Sequence, residues 1–162
     1  MNNNNVVLRR CEDNLYVSGW GVVIMGIWSV LRPIIQFMLG SSVFSDLKSK
    51  TKNSPAAAIV IVGIFVALIM IAVLGLHLYT GLNAIKAAKG KNHKKGYLIT
   101  AIITLCISLL SLIAYKDSLS ITESIATLIA SILVDLTTIY IFITLIVSTV
   151  KIRKIKKEQE AA

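Results

Sequence analysis

Charge is almost absent from four long runs of this chain. Asn14 to Leu31 contains no Asp, Glu, Lys or Arg; Arg32 interrupts, and the run resumes from Pro33 to Ser45. Ala56 to Ile85 is uncharged over 30 residues and Tyr97 to Tyr115 over 19, and Ser124 to Val150 is broken only by Asp135. A bilayer-spanning helix needs ~20 mostly apolar residues. Strands do not suit these runs, which are too long and do not alternate. A bilayer admits only helices and closed barrels, because every backbone polar group must be satisfied within the protein. The sequence therefore predicts an all-α integral membrane protein, a four-helix transmembrane bundle in a single membrane domain, 1–162. The predicted spans are 16–39, 57–81, 97–115 and 122–150, with a basic tail, 151–162.

Composition agrees. Hydrophobic residues make up 56% of the chain and charged residues 15%, against roughly 25% charged in a soluble domain. Intrinsic disorder requires the opposite balance. Polar breaks fall between the runs: Gly40-Ser41-Ser42, Asn53-Ser54-Pro55, the lysine-rich segment 90–96, and Lys116-Asp117-Ser118, read as a turn. Pro55 suits a helix start. Asn2 to Asn5 reads as a disordered polar tract. Arg32-Pro33 lies inside the first span, so that span is either continuous, with or without a kink, or ends there, with 34–47 lying along the interface. Arg9-Arg10 resembles the start of a signal peptide, but Glu12 and Asp13 follow and no small-residue cleavage site does.

Basic residues set the orientation. Residues 1–15, 82–96 and the tail together carry twelve Lys and Arg, and the two opposite loops carry four. The positive-inside rule places both termini and the 82–96 loop in the cytoplasm. Tyr16, Tyr79 and Tyr97 are then expected at the inner interface and Tyr115 at the outer one. Richness in Ile, Lys and Asn has the flavour of an AT-rich bacterial genome, and the expected location is the cell (inner, plasma) membrane. Lys151, Arg153, Lys154, Lys156 and Lys157 are candidate contacts to anionic lipid headgroups, worth ~1 kcal/mol each near a charged surface. No aromatic residues interleave with them to stack bases, so nucleic acid is not an expected partner.

Two charges fall within the spans. A charge at mid-membrane costs ~2.5–3.5 kcal/mol even on the gentler insertion scales. Arg32 lies ~24 Å from the inner edge, counted from Tyr16, and Asp135 ~22 Å, counted from Val150. Equal depth predicts an ion pair between the first and last helices. Three roles are open: fixing helix packing, serving a proton or substrate path, or, for Arg32 alone, snorkelling to the outer headgroups. Asp135 heads a stripe with Ser124, Thr127, Ser131 and Thr138 at spacings of three and four, hence on one helical face. Thr100, Thr104, Ser108 and Ser111 make a second stripe, and Ser29, Arg32 and Gln36 a third. Such hydroxyls either hold helices together at ~0.6 kcal/mol per contact or line a thin hydrated path. The candidate polar site is Arg32, Asp135, Ser131, Thr138, Thr104 and Ser108. Gly63 with Ala67, and Gly19 with Gly26, are small-residue patterns that suit close helix approach.

Enzyme signatures are missing. Cys11 and Cys106 form no CxxC and lie at different expected depths. His77 and His93 are isolated, and no cluster has zinc spacing. There is no P-loop or dinucleotide fingerprint. No cofactor is expected, and the chain is read as non-enzymatic. Two functions remain. One is a small accessory subunit, regulator or immunity-type factor acting through helix–helix contacts, as a homo-oligomer or with another membrane protein. The other is an oligomeric transporter or channel subunit using the Arg32/Asp135 pair.

Overall fold

The computed structural model describes residues 3–38, 56–91, 96–118 and 125–160, and apart from the turn at 89–91 all of these are helical. The four helices are α1 (Asn3–Met38), α2 (Ala56–Ala88), α3 (Gly96–Ser118) and α4 (Ile125–Glu160). All four are long and apolar enough to cross a membrane, which suits a multi-pass membrane protein. The breaks at 40–42 and 53–55, most of 90–96, and Ser124 lie outside the described residues.

The helices extend beyond the expected span ends in three places. Asn3 to Asn5 belong to α1. The turn expected at Lys116-Asp117-Ser118 is the last turn of α3. The basic segment after Val150 continues α4 as helix to Glu160. Hydropathy marks where a helix must avoid charge, not where it stops. α1 also runs unbroken through Pro33. The proline lacks only the N–H that would reach the Ser29 carbonyl, a loss that membrane helices tolerate.

α1 and α4 each contain 36 residues, so each is about 54 Å long at helical rise, against ~30 Å of hydrocarbon. Their surplus is at the same end. Lys156 Nζ of α4 lies 3.5 Å from Glu12 Oε1 of α1, and Gln159 Nε2 donates to Asn5 Oδ1 at 3.1 Å. The chain termini therefore meet at one end of the bundle. The turn after α2 lies there too: Lys89 Nζ stands 5.2 Å from the ring centre of Tyr16. α2 stops at a glycine-closed cap. Gly90 adopts φ 71°, its N–H donates to Ala87 O at 3.0 Å, and the Lys91 N–H reaches back to Lys86 O at 2.9 Å. This is the Schellman arrangement, which needs a left-handed residue at its corner.

Each helix packs against two neighbours: α1 against α2 and α4, and α3 against α2 and α4. Matched contacts run in opposite senses, as in Gly19 with Ile85 and Gly26 with His77, so adjacent helices are antiparallel. The core lies toward the basic end, built from Cys11, Leu15 and Val22 of α1, Ala84 of α2, Tyr97 and Ala101 of α3, and Phe142, Leu145 and Ile152 of α4. Tyr97, expected at the interface, is only 2% exposed, and its hydroxyl donates to Thr149 Oγ1 at 3.3 Å. The side chain of Tyr115 lies outside the described part. Toward the far end the packing loosens. From Val60 to Ile69 every described side chain of α2 is exposed.

In lipid the tails are as apolar as leucine, so helices associate through close packing and polar contacts. The α1–α2 crossing has the closest packing. A Cβ added at Gly81 would lie 2.6 Å from the Gly19 carbonyl oxygen, and one at Gly26 would lie 2.5 Å from His77 Cβ. The small pair Gly19 and Gly26 is thus used within the chain. Gly63 and Gly75 have nothing within 4 Å of an added Cβ.

Candidate functional site

The intramembrane charges are brought to one place, but not into direct contact. Arg32, Asp135, Ser108 and Thr138 line a single cavity of about 230 Å³, together with Ser29 and His77. All four helices contribute to it. Arg32 Nη2 donates to Ser131 Oγ, one helical turn before Asp135. The expected Arg32–Asp135 ion pair is not formed: the salt bridge found between described residues is Lys156 with Glu12. Counting residues along two helices fixes depth. Which oxygen a long guanidinium stem reaches depends on its rotamer and on the hydroxyl nearest its path, and here that hydroxyl is Ser131.

The site is built from helix periodicity. Ser131, Asp135 and Thr138 recur at four and three residues, so they share the face of α4 that meets α1. The α1 residues Ser29 and Arg32 are three apart, on the face that meets α4. Thr138 Oγ1 donates to Val134 O at 2.8 Å, and Ser29 Oγ to Gly26 O at 2.7 Å. These hydroxyls donate to backbone of the same helix, so their lone pairs are what they offer the cavity. Thr127 and Gln36, the remaining members of the stripes, have side chains outside the described part.

Thr104 does not join the site. Its Oγ1 donates to Thr100 O at 2.9 Å, and Ser111 likewise donates to Ser108 O at 2.9 Å. Thr100 faces α2 instead, sharing a 2.8 Å hydrogen bond with Thr80. Most of the α3 stripe therefore satisfies itself or fastens neighbouring helices, and only Ser108 reaches the cavity.

His77 is the site residue that sequence spacing did not reveal. It is 8% exposed, its Nδ1–H donates to Val73 O at 2.9 Å, and its ring meets Phe142 edge-on with centroids 5.9 Å apart. With Nδ1 committed, Nε2 is the ring atom left to accept or bind a proton. The sequence did hold a signal for it. Gly26 marks where α1 lets another helix approach, and the antiparallel register sets His77 opposite Gly26.

The site has two opposite charges, an imidazole and hydroxyls around one small cavity. That set can hold water, move a proton, or bind a small zwitterion. Among the described residues no three His, Cys, Asp or Glu side chains lie close enough to hold a metal ion.

The five basic tail residues are divided by the α4 helix. Arg153, Lys156 and Lys157 line a cleft of about 290 Å³ together with Tyr97 and Thr149. Lys151 lines a separate groove with Arg10, and Lys154 is exposed. No protein-family model matches the chain, and no curated protein or solved structure is significantly similar to it.

Proposed function

We propose that this is a small, non-enzymatic multi-pass membrane protein that acts through helix–helix contacts within the bilayer, as an accessory, regulatory or immunity-type factor. In this reading both termini and the 82–96 turn are cytoplasmic, and the membrane is a bacterial cell membrane. One observation carries the proposal: among the described residues the far half of α2 has no packing partner. From Val60 to Ile69 each described side chain is exposed, and Gly63 is open to any helix that approaches. A helix with small residues four apart, Gly63 and Ala67, is suited to a close crossing. The α1–α2 crossing shows what such residues do when they are engaged.

Native mass spectrometry after extraction into nanodiscs tests this reading. The expected result is a defined complex, either a homo-oligomer or a stoichiometric second protein. Gly63→Leu should weaken it at least about tenfold, equivalent to ~1.4 kcal/mol. The same substitution should leave unfolding of the isolated chain unchanged, because no described residue packs there. A chain that stays monomeric and alone, or a complex indifferent to Gly63→Leu, would reject the proposal.

The shared cavity favours a second reading, an oligomeric transporter or channel subunit in which Arg32 and Asp135 handle a charged or protonatable passenger. Four helices are few to enclose a pathway, so this too requires assembly. Uptake into proteoliposomes that Asp135→Asn abolishes would favour it over the first.

A further inference from the structure

We infer that the cleft among Arg153, Lys156 and Lys157 is a discrete site for the phosphate-bearing headgroup of an anionic phospholipid. A basic tail could act only as a diffuse field. Three features make this cleft more than that.

First, the cations are arranged. α4 remains helical through Glu160, so residues 153, 156 and 157 fall at helical spacing on one face, while Lys154 is on another. Lys156 is held in place by Glu12 at 3.5 Å. Arg153, Lys156 and Lys157 line the cleft with one carboxylate, Glu160, and Glu12 pairs with Lys156 from outside that lining, so the three cations outnumber these two carboxylates by one.

Second, the backbone at its rim repels an anion less than an uncapped helix end would. A helix C-terminus normally presents carbonyl oxygens, which repel phosphate. Here the Gly90 turn brings the N–H groups of residues 90 and 91 back onto the carbonyls of Ala87 and Lys86. That lowers the repulsion at the point where α2 meets the cleft.

Third, the cleft is amphipathic in the sense a lipid requires. Its polar side holds the Tyr97 and Thr149 hydroxyls, and its apolar wall includes Leu15 and Ile152, both part of the core. It opens just beyond Val150, where the uncharged stretch of α4 ends. In a bilayer this is headgroup level. Basic pockets between membrane helices are known binders of anionic headgroups, and a guanidinium carries five N–H donors, enough to serve a phosphate oxygen beside another partner. A free phosphate would use the same cations but gain nothing from the apolar wall, so we assign the site to the lipid.

The test uses the full chain in nanodiscs of phosphatidylcholine with a minor fraction of phosphatidylglycerol, and counts lipids retained in native mass spectra. One phosphatidylglycerol per chain should survive extraction, with no comparable phosphatidylcholine. Arg153→Gln with Lys157→Gln should lower that retention about thirtyfold, the effect of two basic residues near the surface. Lys151→Gln with Lys154→Gln removes the same charge from the same helix and should leave retention unchanged. The exchange pair Arg153→Lys with Lys157→Arg should also preserve it. Equal losses in the two neutralised pairs would show a diffuse field and overturn the site. Equal retention of phosphatidylcholine would do the same. Displacement of the lipid by millimolar inorganic phosphate would reassign the cleft to a free anion. The lipid comparison uses the unaltered protein, so misfolding of a variant would not spare the proposal.

Discussion

Gly81→Ala is expected to destabilise the protein by about 3 kcal/mol, at the upper end of what over-packing costs. The new methyl carbon would sit 2.6 Å from the Gly19 carbonyl oxygen and 2.7 Å from Val23 Cγ2. The valine methyl can turn away, but the carbonyl is helix backbone and cannot move without moving α1. The helices must therefore separate along their length. This would loosen the contact of Gly26 with His77, where side chain meets helix at similarly short range. Unfolding in mixed micelles, followed through Trp20 and Trp28 on α1, measures the effect. Gly63→Ala and Gly75→Ala serve as controls, because neither position has a neighbour within 4 Å of the added carbon. They should not destabilise the chain. Were all three substitutions to cost the same, the helix crossing described here would be wrong, since only the crossing distinguishes Gly81 from the others.

The existence of the four helices was legible because charge inside a bilayer is costly enough to override local preference. Their ends were less legible for the same reason. Beyond residue 16 on α1 and residue 150 on α4 the charge returns, and hydropathy no longer separates helix from loop. The helices continue because they pack on each other: Leu8, Cys11, Leu15 and Val22 on α1 keep a spacing of three, four and seven through the charged segment, and all join the core or pack against it. That heptad-like spacing was present in the sequence, hidden among Arg9, Arg10, Glu12 and Asp13. Tyr97 shows the opposite limit. Its position at a span end suggested an interfacial ring, but the core lies at that end and encloses it. For the polar site, residue counting placed Arg32 and Asp135 at one depth, and the structure sets them on one cavity. The counting could not supply Ser131 as the immediate partner of Arg32, nor His77, because both depend on which helix faces lie opposite each other. Gly81 was missed because a lone glycine near a span end has no small partner four residues away, where His77 and Ile85 stand.

Replacing Arg32 by Gln should lower stability by about 3 kcal/mol, near the cost of an uncompensated charge in the membrane interior. In the parent protein Asp135 shares its cavity with a cation. Attraction through so apolar a surrounding acts even without contact, because little solvent screens it. Removing the cation leaves the carboxylate facing a low-dielectric space alone. Asp135→Asn should cost less, since the guanidinium keeps its hydrogen bond to Ser131 and has a long enough stem to shift toward polar groups. The double substitution should then be less harmful than the two single effects added together, by ~1 kcal/mol or more, the scale of coupling between residues that share a partner or cavity. Ser131→Ala separates the alternatives. If Arg32 acts only through the serine, Ser131→Ala will match Arg32→Gln and the Asp135 background will change neither. If the two charges are coupled across the cavity, Ser131→Ala will cost far less than Arg32→Gln. In that case Asp135→Asn will relieve most of the Arg32→Gln defect. That outcome would make the cavity an electrostatic unit, and it would make any passenger or proton entering it subject to both charges at once.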